Sequence, residues 1–161
     1  MIDQLINIIS KEAALFENFL ELLERQKQAL VNNDHAALAL LTERQHEKLA
    51  ESHRLNRERE ELIAAIKNDR SIDGDLTVSR LLAMVDQDQA DHLRRLRDAI
   101  LSLNEQILET RNSNAMLLNQ SREFVNQTMV MLSKLSHPEP GYGKSGQPGN
   151  SSRPVALDRR A

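Results

Sequence analysis

From residue 2 to residue 31 the apolar positions Ile2, Ile6, Ile9, Ala13, Phe16, Leu20, Leu23 and Leu30 advance by alternating steps of four and three, with Lys27 in the same series. This is the seam spacing of packed helices. A second stripe, Leu5, Ile8, Leu15, Phe19, Leu22 and Ala29, runs beside it. Two adjoining stripes are expected when one helix touches two neighbours. The pattern predicts a first helix from about Ile2 to about Val31, stopped by Asn32-Asn33-Asp34, where Asp34 can cap a second helix. The second helix, about His35 to Lys67, is apolar at its ends (Leu38, Leu40, Leu41; Leu62, Ile63, Ile66). Between Thr42 and Glu61 only Leu49, Ala50 and Leu55 are apolar, so its middle is solvated. Asn68 to Asp75, with Asp73-Gly74, reads as the connecting turn.

A third helix begins near Leu76 or Thr77 and extends to Leu135 if it is continuous. From Leu93 its seam is regular: Leu93, Leu96, Ile100, Leu103, Ile107, Thr110, Asn114, Leu117, Ser121, Phe124, Thr128, Met131, Leu135. The polar run Asp86-Gln87-Asp88-Gln89 marks a possible break, which would leave residues 76–85 as a short separate helix. The fold class is all-α: an elongated antiparallel bundle of three long helices, or four if the third breaks. At about 1.5 Å per residue the first two helices are roughly 45–50 Å long and an unbroken third is roughly 90 Å. If the third helix packs against the second from residue 77, its partners run out near residue 107. Residues 108–135 then overhang.

The overhang is not polar. It carries Leu117, Phe124, Met131 and Leu135 on the seam, and Leu108, Ala115, Leu118, Val125, Met129 and Leu132 on an adjoining stripe. Each large side chain left in water forgoes roughly 1.5–3 kcal/mol of burial, and contiguous apolar surface of this kind marks an interaction site. Met116, Met129 and Met131 suit a surface that accommodates more than one partner. The seam residues Thr110, Asn114, Ser121 and Thr128 cost stability but can set register with a partner helix. The candidate partner-binding residues are Asn114, Leu117, Leu118, Phe124, Val125, Met129, Met131 and Leu132.

Composition changes the picture at residue 137. All four prolines and four of the five glycines lie after Ser136. A domain of residues 1–136 is therefore followed by a Pro/Gly/Ser-rich segment, 137–161, expected to be disordered because it cannot bury enough apolar surface to offset its ordering entropy. Aromatic residues make up only 2% of the chain, against a β-sheet core and an aromatic-lined ligand pocket. The absence of Cys removes thiol chemistry and fits a reducing compartment. With neither a basic leader nor a long uncharged apolar run, the expectation is a cytoplasmic protein without membrane insertion.

Candidate chemistry is sparse. Glu43 and His46 form one Glu-x-x-His pair, whereas helical di-iron sites need two, so no metal site is assigned. The arginine runs around Arg54–Arg59 and Arg94–Arg97 lack interleaved aromatics and sit in a net acidic body, which disfavours nucleic acid. No phosphate loop or nucleophile turn occurs. The expectation is no enzyme, no cofactor and no metal, but a protein that works by binding others. The rival is a structural coiled coil that pairs with its own copy; weak self-association fits either reading.

The residues resemble the FlgN family of flagellar type III export chaperones. The likeness runs through Leu22-Leu23-Glu24-Arg25, Ala29-Leu30, Asp34, Leu38, Leu41, Lys48-Leu49, Leu55 and Arg57. In the last helix Asn112-Ser113-Asn114 with Leu117-Leu118 is similar to the family's Asn-x-Asn-x-x-Leu stretch. Tyr142-Gly143-Lys144-Ser145-Gly146-Gln147 is similar to its Tyr-Gly-x-x-Gly element. The resemblance implies a chaperone that binds the C-terminal helical region of the hook–filament junction proteins FlgK and FlgL. It would prevent their premature assembly and deliver them to the export gate, with Tyr142 as the docking residue for the gate protein FlhA.

Overall fold

In the computed structural model the described residues are 1–136, with side chains described through 134. They form four helices and no strand: α1 (Ile2–Val31), α2 (His35–Asp69), α3 (Val78–Leu82) and α4 (Gln87–Ser136). The expected disorder of 137–161, and Tyr142 with it, lies outside the described residues. The chain divides into two units, Met1–Glu123 and Phe124–Ala161. The first holds the packed helices. Of the second, the described part is the last stretch of α4.

The α1–α2 hairpin is closed by local chemistry. At the end of α1, Asn33 adopts the left-handed conformation (φ 53°), which Asn tolerates better than most residues. This lets the Asp34 amide donate to the Ala29 carbonyl at 2.9 Å and the Asn33 amide to Leu30 at 3.3 Å, satisfying carbonyls the helix would leave open. Asp34 then turns its carboxylate to the next helix, where Oδ1 accepts from the Ala37 amide at 2.9 Å. One residue thus closes one helix and caps the other, so the two helices fold back at once. Glu12 meets Arg59 and Gln26 meets Gln45, an antiparallel register.

The α2 terminus repeats the device. Ser71 is left-handed (φ 49°), and the Ile72 amide donates to Lys67 at 2.9 Å. The loop turns at Gly74 (φ 79°), and Arg80 Nη1 donates to the Asp73 and Asp75 carbonyls at 2.7 and 3.2 Å. The short α3, capped by Thr77, presents buried Leu81 to a core of Leu5, Ile6, Ile66 and Leu93, with Leu76, Met84 and Val85 packed around it.

The break at residues 86–89 is present, and its cause is a reciprocal cap. Asp86 Oδ1 accepts from the Gln89 amide at 2.8 Å, and Gln89 Oε1 accepts from the Asp86 amide at 3.4 Å. This capping box starts α4 afresh. Gln89 also donates through Nε2 to Asp3 Oδ1 at 2.6 Å, which sets the start of α4 level with the start of α1. The two helices run parallel: at the other end Asn114 Nδ2 donates to the Leu23 carbonyl at 2.9 Å and to Gln26 Oε1 at 3.1 Å.

This register corrects the expected reach. Packing does not run out near residue 107, because residues 70–86 form a loop, α3 and a turn instead of the first turns of a long helix. Asn114 stands opposite Leu23, and α1 continues for eight residues to Val31, so α4 has a neighbour until about Arg122. The solvated middle of α2 is as read: only Leu41, Leu55 and Ile66 are buried along it. A second small core of Leu22, Ala29 and Leu41, with Ala37 and Leu38, closes the hairpin end.

Asn114 is 5% exposed, so its two hydrogen bonds are made away from water. Removing the side chain leaves Gln26 Oε1 short of its donor beside a new void. Asn114→Ala is expected to lower unfolding free energy by about 1–3 kcal/mol, measured by urea denaturation. A midpoint equal to wild type would show that the contact does not hold α4 in register.

Candidate functional site

The eight candidate residues separate into three groups. Asn114 is buried within the unit Met1–Glu123. It does not belong to an exposed stripe, because α4 packs further along α1 than the helix lengths suggested. Leu117 is half-buried. Leu118 (53% exposed), Phe124 (70%), Val125 (55%), Met129 (63%), Met131 (65%) and Leu132 (53%) are exposed.

Two exposed residues, Met116 and Val130, were outside the candidate set. Val130 belongs to neither stripe, yet the run Met129-Val130-Met131-Leu132 is apolar at four successive positions. Four successive residues span more than one helical turn, so the run presents apolar surface on every side of the helix. That signal was available in the sequence and was hidden by reading it as stripes. Phe124 also anchors a local bond, its carbonyl accepting from Thr128 Oγ1 at 2.9 Å.

What this segment can do chemically follows from what it lacks and what it exposes. From Phe124 to Leu132 six large apolar side chains are more than half exposed. At roughly 1.5–3 kcal/mol each, they offer a large gain to any helix that covers them. No carboxylate lies between Phe124 and Leu132, so such a helix need not bury an acid to do so. Among the described residues no cluster of three metal-ligating side chains occurs, and no helix is long and apolar enough to cross a membrane.

A family model, FlgN protein, matches residues 1–150. The chain belongs to the FlgN family. This makes it, in broad terms, a flagellar export chaperone. No curated protein and no solved structure matches the chain.

Among the described residues of the FlgN chain, one titratable group is perturbed. Glu12 is 8% exposed on α1, and burial raises its carboxyl above the ordinary value of 4.5, opposed by the Arg59 guanidinium at 3.3 Å. Arg59 also donates to Asn56 Oδ1 at 2.5 Å. A raised acid binds its proton more tightly in the folded state, so its contribution to stability is complete below the ordinary value and is lost as pH rises through the raised one. In Glu12→Gln that loss disappears. Urea titrations at about pH 5 and about pH 7.5 are expected to show a smaller fall in stability for the variant than for wild type. Equal falls would mean that Glu12 is not desolvated.

Proposed function

We propose that this FlgN-family chain is a cytoplasmic chaperone for the flagellar junction proteins FlgK and FlgL. It binds their C-terminal helical region on the exposed apolar residues Leu118, Phe124, Val125, Met129, Met131 and Leu132, with Leu117 at the margin. The observation that carries the reading is the exposure of six large apolar side chains from Phe124 to Leu132, in a chain whose family is one of export chaperones. A client helix laid on such a surface is helix-in-groove recognition. The same contact covers the client's own apolar assembly face, so polymerisation is blocked by occupancy alone, and release requires only a competing binder. Asn114 acts at one remove, by holding α4 in place against α1.

Delivery needs a second contact. Tyr142 lies outside the described residues and is the natural anchor by family likeness, since a Tyr buried at an interface is frequently worth about 2 kcal/mol or more. Its receptor in this reading is the export gate protein FlhA.

The client surface is tested by replacing Phe124 and Val125 with Gln. Because both side chains are exposed, helicity and the urea midpoint should change by less than about 0.5 kcal/mol, while FlgK and FlgL no longer co-purify. Retained client, or global unfolding, would sink the assignment. Tyr142→Ala is expected to keep client binding and to lose pull-down of the FlhA cytoplasmic domain; export at wild-type level in that variant would remove the docking role.

The same exposed run supports a second reading, a homo-oligomeric coiled coil. Light scattering separates the two. A chaperone converts to a heterocomplex when client is added, whereas a structural coiled coil is an obligate oligomer without one.

A further inference from the structure

Sulfur in this chain is confined to methionine. There is no Cys, and the five methionines are Met1, Met84, Met116, Met129 and Met131. Their surroundings differ. Met84 is half-buried and packs against the core of Leu5, Ile6, Ile66, Leu81 and Leu93. Met116, Met129 and Met131 are 64%, 63% and 65% exposed. Met is among the residues most often buried in folded proteins, yet α4 holds three of its thioethers in water.

Two of the three border the apolar surface that follows Glu123. At 3.6 residues per turn, Met131 stands about 20° to one side of Phe124 around the helix axis. Leu132, Val125 and Met129 follow on the other side, at about 80°, 100° and 140°. Phe124, Leu132 and Val125 therefore lie inside an arc with Met131 at one edge and Met129 at the other. A helix that covers the arc meets at least one of the two sulfurs. Met116 belongs to the unit Met1–Glu123 and lies outside this arc.

An exposed thioether is open to one reaction that the other side chains of the arc do not share. Its sulfur lone pair takes an oxygen from a hydroperoxide as the O–O bond breaks. With hydrogen peroxide, both hydrogens leave with the displaced oxygen as water; sulfur loses two electrons and the peroxide gains them. The product, methionine sulfoxide, is polar where the thioether was apolar. In the free chain the new S=O group at either position stays hydrated, so folding is not penalised. Under a partner the same group must give up its water without a donor in exchange, and burial of an unpaired polar group is unfavourable. Oxidation thus acts on binding and spares the fold. The change is reversible, since sulfoxide reductases return the oxygen as water while a dithiol becomes a disulfide.

We propose that Met129 and Met131 form a reversible oxidation site at which a hydroperoxide switches off client binding. This rests on the chaperone reading and gives its surface redox control. Met84, packed on the core, is the slow-reacting thioether of the same chain, and Met116 is an exposed one whose oxidation leaves the arc apolar.

The test treats the full chain with hydrogen peroxide, removes the oxidant, and adds the untreated C-terminal helical segment of FlgK as probe. Peptide mass mapping should find the added oxygen at Met129 and Met131 before Met84. Affinity for the segment should fall at least about tenfold, with helicity and the urea midpoint of the chain unchanged. Methionine sulfoxide reductases should restore it. Met129→Leu with Met131→Leu, compared with its own untreated form, should lose no affinity on treatment, whereas Met116→Leu should lose as much as wild type. Full affinity with sulfoxide at both positions would overturn the inference. So would an equal loss in the double variant, or oxidation of Met84 ahead of the pair; in each case binding by the untreated chain keeps the chaperone reading standing. No binding by the untreated chain would remove that reading and the inference with it.

Discussion

The register of α4 against α1 is the constraint from which the rest follows. It is held by polar contacts of Gln89 with Asp3, of His92 with Ser10, and of Asn114 with Leu23 and Gln26. The rest of the contact surface is mainly apolar, and apolar seams of Leu and Ile tolerate sliding because one heptad resembles the next. Polar anchors do not tolerate it, since a shifted Asn114 would leave a buried amide and its partners unpaired at a cost of about 1–3 kcal/mol. The register then decides which side chains of α4 are sheltered and which remain available.

That register depends on where helices stop. Both α1 and α2 end through a non-glycine residue in the left-handed region, Asn33 and Ser71. Each end closes with the same pair of backbone bonds. Two termini built alike have opposite consequences. After α1 the chain reverses within three residues, because Asp34 at once caps α2. After α2 the loop, α3 and the capping box of Asp86 and Gln89 intervene before α4 begins. The longer connection shifts α4 along its neighbours, so that its first turn meets that of α1.

The polar middle of α2 links this architecture to function. A helix that buries only Leu41, Leu55 and Ile66 cannot shield the faces of two neighbours along its length. The cavity of about 140 Å³ lined by Phe16, Phe19 and Leu49 among others follows from that economy of apolar residues. In the chaperone reading proposed above, such an unfinished bundle leaves burial for a partner to complete.

Much of this was legible in the sequence. Helix starts and stops depend on nearest neighbours, so Asn32-Asn33-Asp34, the solvated middle of α2 and the break at Asp86–Gln89 could be read from local pattern alone. So could the apolar character of Phe124, Val125, Met129, Met131 and Leu132, because hydrophobicity belongs to the residue. What tertiary structure decided was alignment. Whether Asn114 faces a partner or α1, and whether Leu117 is free or half covered, depends on how many residues the α2–α4 connection takes up and on which polar atoms meet across the bundle. Those are contacts between positions some ninety apart in the chain, and a local periodicity repeating every seven residues carries no information about which repeat lies opposite which.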